Sequence, residues 1–289
     1  MIELYLLEQL LAFSEYGTLS AASKHLHISQ PALTHSMQKL EELMEVKLFE
    51  RQRNRITLNE TGKLAVEYGK KVLDQEKEMI EQIRLFDKSS RTITLGACAP
   101  VPVWDMVPLL SQIYSGLTIS SEIRNRDEEL LEGLEKNKYQ LVILHEKPSN
   151  GEIYVQAYGK ERLFLSVPEG HPLAERSEIY LSDIDGQNLL LYTEIGFWYE
   201  LCRQKLPNAH FLMMSEHDAF GEVAGSGAFP SFVSDVLMRR DPDNSLMEKK
   251  IIPILDDEVN VTYYCVCRYS ERKKFEPLYR RLGSYKIWH

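Results

Sequence analysis

This chain of 289 residues lacks several things, and each absence closes off a class of function. No stretch approaches the roughly eighteen continuous apolar residues of a membrane-spanning helix. The opening MIELYLLEQLLAF is broken by Glu3 and Glu8 and has neither a basic start nor a small-residue cleavage site. It is expected to form a first helix, not a signal peptide. Cysteine is scarce: Cys98, Cys202, Cys265 and Cys267 are too scattered for a disulfide framework, so a reducing cytoplasm is the expected compartment. Cys265 and Cys267 alternate around Val266, as packing residues of a strand do, and no histidine completes a zinc set with them. The chain also has no GxSxG, P-loop, dinucleotide glycine fingerprint or HExxH, so neither an enzyme nor a bound cofactor or metal is expected.

Positive charge is short as well, with a net charge of −9. Its distribution says more than its sum. Residues 1–60 carry six basic against eight acidic side chains and three histidines, so most of the acid lies further along. Within this segment Arg51, Arg53 and Arg55 cluster directly after a helix-turn-helix pattern, where a basic hairpin can meet phosphates or the minor groove. Thr18 is placed to cap a short helix carrying Ala21, Ala22 and Leu26. Ser29 is placed to cap a second helix with Pro31 in its first turn, where the missing N–H costs nothing. Leu33, Met37, Leu40 and Met44 recur at three- and four-residue steps and predict one buried stripe. The other face offers Gln30, Thr34, His35, Gln38 and Lys39, polar groups on a rod that fits the major groove; Gln30, Thr34, His35 and Gln38 are expected to face bases, and Ser29, Lys39, Arg51, Arg53 and Arg55 to position phosphates.

These residues resemble the N-terminal domain of LysR-type transcriptional regulators. The matches are Ala21-Ala22, Leu26, Ser29-Gln30-Pro31-Ala32-Leu33-Thr34, Leu40-Glu41, Leu48-Phe49-Glu50-Arg51, Arg55, Leu58-Asn59 and Gly62. So many matches at fixed spacing form a far stronger signal than one short motif. Three positions depart from the pattern. Thr34 replaces a serine and keeps the hydroxyl; Asn59 replaces a threonine, and both are good helix caps. Glu45 stands where the family has glycine, so a positive φ there would cost about 1 kcal/mol.

From residue 59 to about 86 runs a proline-free, charged helical pattern with an apolar stripe of Ala65, Tyr68, Val72, Met79, Ile83 and Phe86. Such a helix is about 40 Å long, more than a small module covers. A second copy of the chain would cover the stripe, and a homodimer would set two modules about 34 Å apart on an inverted repeat of double-stranded DNA. Packing on the protein's own larger domain is the rival arrangement. In the family this is the linker helix, and dimers commonly pair into tetramers.

Beyond 90 the periodicity becomes α/β. Strands are predicted over 92–97, 117–123, 139–144, 162–167 and 188–191, with helices over 103–114, 127–136, 181–184 and 198–205. Segments 211–214, 218–224, 229–234 and 261–268 complete the alternation, and a helix over 271–282 closes it. The sheet is expected to be mainly parallel. HPLA at 171–174 and AGSGAFP at 224–230 again resemble the LysR effector domain. The resemblance implies a winged helix-turn-helix domain at 1–58, a linker helix at 59–89 and a periplasmic-binding-protein-like effector domain at 90–289. That last domain would have two Rossmann-like lobes, about 90–160 with 262–289, and about 161–261.

In such a domain a small-molecule effector sits between the lobes, beyond the strand ends. Carried onto this chain, the expected effector residues are Cys98, Ala99, Pro100, Val101, Arg126 and His145 from one lobe, and Thr193, Glu194 and His217 from the other. Pro100 and Pro102 remove two N–H donors from a helix start, which weakens the case for a simple carboxylate, although Arg126 could hold an anion. Glu194 hints at a donor or cationic group on the ligand. Trp104 and Trp198, near two helix starts, suit core filling or cleft lining. The expected function is DNA-binding transcriptional regulation modulated by that effector, with RNA polymerase a candidate further partner. The competing readings are thiol redox sensing through Cys98 or Cys202, and a solute-binding or enzymatic domain with an incidental N-terminal module.

Overall fold

The computed structural model describes residues 1–52, 55–149, 151–240 and 249–284. It divides into two units, Met1–Arg84 and Leu85–His289. In the first, α1 (Leu4–Tyr16), α2 (Leu19–His25) and α3 (Gln30–Met44) precede a hairpin of β1 (Phe49–Gln52) and β2 (Arg55–Leu58), then most of α4 (Glu60–Ser89). Leu6, Leu10, Leu33, Met37, Leu40 and Leu48 are almost wholly buried, and Phe13 meets Phe49 edge-on at 5.3 Å. The expected stripe of α3 is therefore its core face, with Met44 half-buried at the end. α3 stops at Glu45, which takes the left-handed conformation at φ +56°, so the strained non-glycine at the family's glycine position is present.

The second unit is built on β3 (Thr92–Ala97), α5 (Pro100–Ile113), β4 (Thr118–Ile123), α6 (Asp127–Glu135), β5 (Leu141–Leu144) and β6 (Ile153–Val167). Then follow α7 (Leu181–Ile184), β7 (Asn188–Tyr192), α8 (Phe197–Lys205), β8 (His210–Met214), α9 (His217–Ser226), β9 (Ser231–Ser234), α10 (Asp235–Arg240), β10 (Lys250–Pro253), β11 (Asn260–Arg268) and α11 (Glu276–Ser284). The strands run in the order β4-β3-β5-β11-β6-β9-β7-β8, with β10 also on β6.

The parallel expectation holds inside each lobe, where β3 pairs with β4 and β5, and β7 with β8 and β9. It fails at the join, where β6 and β11 run antiparallel to each other and to their neighbours. They are crossover strands passing from lobe to lobe, with a register shift between Tyr263 and Tyr264. β6 starts at Ile153, well before the expected 162; residues 153–157, though mostly apolar, are only partly buried or exposed and show no inward–outward alternation. The closing helix begins at Glu276 because residues 269–271 form a 3₁₀ turn. β10 and α10 were not anticipated.

Candidate functional site

The helix-turn-helix is fixed by its caps. Thr18 Oγ1 accepts from the Ala21 N–H at 3.1 Å, and Ser29 Oγ from the Ala32 N–H at 3.3 Å. Ser29 thus spends its side chain on α3. Gln30 and His35 are exposed, Gln38 is half-buried, and the Thr34 hydroxyl donates to the Gln30 carbonyl at 2.9 Å. Lys39, expected to position a phosphate, instead donates to Glu3 Oε2 at 2.8 Å and to Tyr5 Oη at 3.3 Å. Arg51 lies opposite Ile56, and Arg55 opposite Gln52, in the wing backbone; Arg53 lies outside the described residues.

Two residues of the sequence pattern make contacts that spacing alone does not show, Asn59 in addition to its expected cap. Glu41 is buried, and its Oε1 accepts from the N–H groups of Leu48 at 2.8 Å and Phe49 at 3.2 Å, fixing where the wing departs. An acid beside the buried stripe was the available signal. Asn59 accepts from the Gly62 N–H at 2.7 Å and donates to the Lys47 carbonyl at 2.8 Å, so one side chain both caps α4 and anchors the wing. A side chain at Gly62 would overlap the Leu48 carbonyl, which requires glycine there.

In the second unit the lobes touch at the start of α8. The Phe197 N–H donates to the Cys98 carbonyl at 2.8 Å, and the Phe197 ring stacks on His145 at 3.9 Å between centroids. Gly196, at φ +66°, passes so near Cys98 that a side chain would overlap that carbonyl. Arg240 of α10 forms an ion pair with Asp105 of α5, and burial raises the Asp105 carboxyl to about 6 against that attraction.

α8 has a different space on each side. One is a polar groove of about 770 Å³ lined by Arg126, His145, Glu200, Gln204 and Lys205 among others. The other is an apolar cavity of about 170 Å³ walled by Pro100, Val101, Trp104, Leu163, Tyr192, Ile195, Trp198, Phe220 and Phe232. The nine expected effector residues therefore do not form one site. Pro100 and Val101 line the cavity, and Arg126 and His145 the groove, Arg126 already paired with Glu129 at 2.9 Å. Cys98 and Ala99 are fully buried, and Thr193 and Glu194 line neither space. His217 begins α9.

Cys98, Asp127 and His145 bring potential ligand atoms within 4.8 Å of one another. Asp127 and His145 are committed already: Asp127 accepts from the His145 and Glu146 N–H groups, both at 3.1 Å, and meets His145 Nδ1 at 2.9 Å. Burial holds the Cys98 thiol well above its usual range, so it is not a ready thiolate ligand.

Sequence reasoning missed Glu161. It lies on β6 opposite Val261, only 3% exposed, and contributes to the cavity wall. Burial pushes its carboxyl up to about 7, against hydrogen bonds from Tyr263, Ser234 and Trp198. Its signal was its place in Glu161-Arg162-Leu163-Phe164-Leu165, where alternation sets it on the inward face; a strand begun at 162 left it out.

The family is now decided. The model of bacterial regulatory helix-turn-helix proteins of the lysR family matches residues 4–63, and that of the LysR substrate binding domain matches residues 87–281. The chain belongs to the LysR family. As a LysR-type regulator it is a DNA-binding transcriptional regulator with a two-lobed ligand domain, in a family of regulators and not of enzymes. It is 25% identical over 231 residues to the RuBisCO operon transcriptional regulator of Allochromatium vinosum, an alignment covering 77% of this chain and 76% of that one. It is 28% identical over 235 residues to the DNA-binding transcriptional dual regulator OxyR of Escherichia coli, covering 76% of each. Among solved structures, Vibrio fischeri DarR in complex with DNA shares the fold at TM-score 0.60 and 18% identity, over 98% of this chain and 99% of that one. Among the described residues no helix is long and apolar enough to cross a membrane.

Proposed function

We propose that this LysR-type regulator binds an inverted-repeat operator as a homodimer and changes its output when a small molecule occupies the space between its lobes. The observation that carries the DNA half is α3, which buries Leu33, Met37 and Leu40 while Gln30 and His35 stay exposed near its capped start. In this reading Gln30, Thr34, His35 and Gln38 face bases, while the Ser29 turn, Lys39, Arg51, Arg53 and Arg55 approach phosphates, Lys39 by exchanging Glu3 for DNA.

The homodimer reading rests on α4. Its apolar residues Tyr68, Val72, Met79, Ile83 and Phe86 are 47–81% exposed, a stripe that a second α4 would cover. Pairing of dimers into a tetramer and contact with RNA polymerase belong to the same proposal, as does a cytoplasmic location, where the DNA is.

Effector control requires a ligand that binds two lobe arrangements unequally. Thiol sensing fits this chain less well. Cys98 and Cys202 are buried, and desolvation pushes the Cys202 thiol up to about 12, the reverse of what a reactive thiolate needs. Fluorescence anisotropy with labelled promoter DNA across a salt series tests the reading. Specific binding with a steep salt slope, centred on an inverted repeat by footprinting, is expected. Equal affinity for promoter and random DNA would refute it.

A further inference from the structure

We propose that the apolar cavity beside α8 binds a small monocationic amine whose ammonium group faces Glu161 and whose body lies among aromatic rings. The proposal rests on the reading that the inter-lobe space takes an effector, and it specifies that ligand's chemistry.

Three features of the wall agree. First, its rings include Trp104, Tyr192, Trp198 and Phe220, with Tyr192 and Phe220 centroids 5.5 Å apart. Such faces attract cations, most strongly where water is excluded. Second, among the described residues Glu161 is the one charged side chain in this wall. An ionised carboxylate offers about four acceptor sites, and the partners of Glu161 are the neutral donors Tyr263, Ser234 and Trp198. Among the described residues no cation pairs with it, so acceptor capacity remains for a ligand donor.

Third, the wall is poorly equipped for an anion. A helix start normally presents free N–H groups, but in α5 Pro100 and Pro102 have none. Arg126, the cationic residue expected to hold a carboxylate, lines the opposite groove. The volume, about 170 Å³, sets the scale. A dry apolar cavity of about 150 Å³ is known to accept benzene, so a single ring or a short branched chain is the right size.

A charged amine demands an ionised Glu161, so its affinity falls as pH drops through the range where that carboxyl titrates. Tyr158 from the same strand, Tyr263 from β11 and the Cys98 thiol face this region, all pushed well above their usual values and neutral there. Asp235 from α10 is a further acid nearby, and Asp105 on α5, paired with Arg240, titrates near 6. The Glu161→Gln variant separates their effect from that of Glu161.

The test is isothermal titration of the full-length protein with benzylamine, benzyl alcohol and benzoate at pH 8 and pH 6. Benzylamine should bind at least about tenfold more tightly than the alcohol at pH 8, lose about tenfold by pH 6, and leave benzoate undetected. Glu161→Gln should reduce benzylamine to the level of the alcohol and abolish the pH effect. Ile195→Trp, which fills the cavity from its partly buried rim, should remove both ligands; melting curves confirm that each variant is folded. If benzoate or the alcohol binds as tightly as the amine, and Ile195→Trp abolishes it, the amine class is wrong and the cleft reading survives. Benzylamine binding untouched by both substitutions overturns the assignment to this cavity. No binding of any probe to folded protein overturns both the class and the cleft reading.

Discussion

The recognition helix and the cavity wall place their polar groups in opposite ways. On α3, Gln30 and His35 stand exposed at a capped helix start, while the buried face is apolar. In the cavity wall the order is reversed: apolar rings face the cavity, and the acid Glu161 is sunk among neutral donors. A DNA groove is broad and wet, so the protein can present many weakly desolvated contacts to it. A small ligand is recognised by few contacts, which must be desolvated to discriminate. The contrast teaches that exposed polar residues can be located by helical spacing, whereas a buried one depends on which strands meet around it.

Substitutions on each side sharpen this contrast. The largest effect is expected from Gly196→Val, which places a side chain against the Cys98 carbonyl at φ +66°, where a β-branched residue is strained anyway. Loss of roughly 3 kcal/mol or more in urea unfolding is expected; a change under about 1 kcal/mol would mean the lobes tolerate separation there.

Next comes Glu161→Gln. The wild-type carboxyl is raised from 4.5 to about 7, so its stabilising contribution is complete below 4.5 and is lost as pH rises through 7. Removing the charge should therefore stabilise the protein at pH 8 relative to pH 4.5, by up to roughly 3 kcal/mol, and flatten the curve between them. Melting temperatures across pH read this directly, and an unchanged slope would place the titration elsewhere.

On the exposed side, Gln30→Ala should leave stability within about 0.5 kcal/mol of wild type. It should lower discrimination between promoter and altered half-sites by about 1–3 kcal/mol, read by competition binding. Discrimination unchanged would reassign the base-reading face. The smallest effect is expected from Cys202→Ser: buried and desolvated, this thiol should leave DNA binding insensitive to peroxide before and after substitution. A peroxide response lost with Cys202 would restore the thiol-sensing alternative.

Much of the fold was legible because local patterns coincide with what packing demands. The α3 stripe, the caps at Thr18 and Ser29, the strand at Thr92–Ala97 and the short helix at Leu181–Ile184 lie where spacing and capping chemistry put them. Less of the candidate site was legible. Cys98 and Ala99 were expected as ligand contacts, but the Cys98 backbone is engaged with Phe197. Arg126 and His145 fall on the opposite side of α8 from Pro100 and Val101. Loops adjacent in a strand-order diagram need not open into the same space.

Sequence alone determined the helix-turn-helix, the long amphipathic α4 and the alternating α/β character of the remainder, because capping, 3.6-residue and two-residue periodicities are local properties of the chain. Tertiary structure alone decided that β6 and β11 cross between lobes, that α8 parts a polar groove from an apolar cavity, and that Glu161 loses its water. Burial of a charge depends on partners distant in sequence, here Tyr263, Ser234 and Trp198, and no local pattern records which of them will arrive.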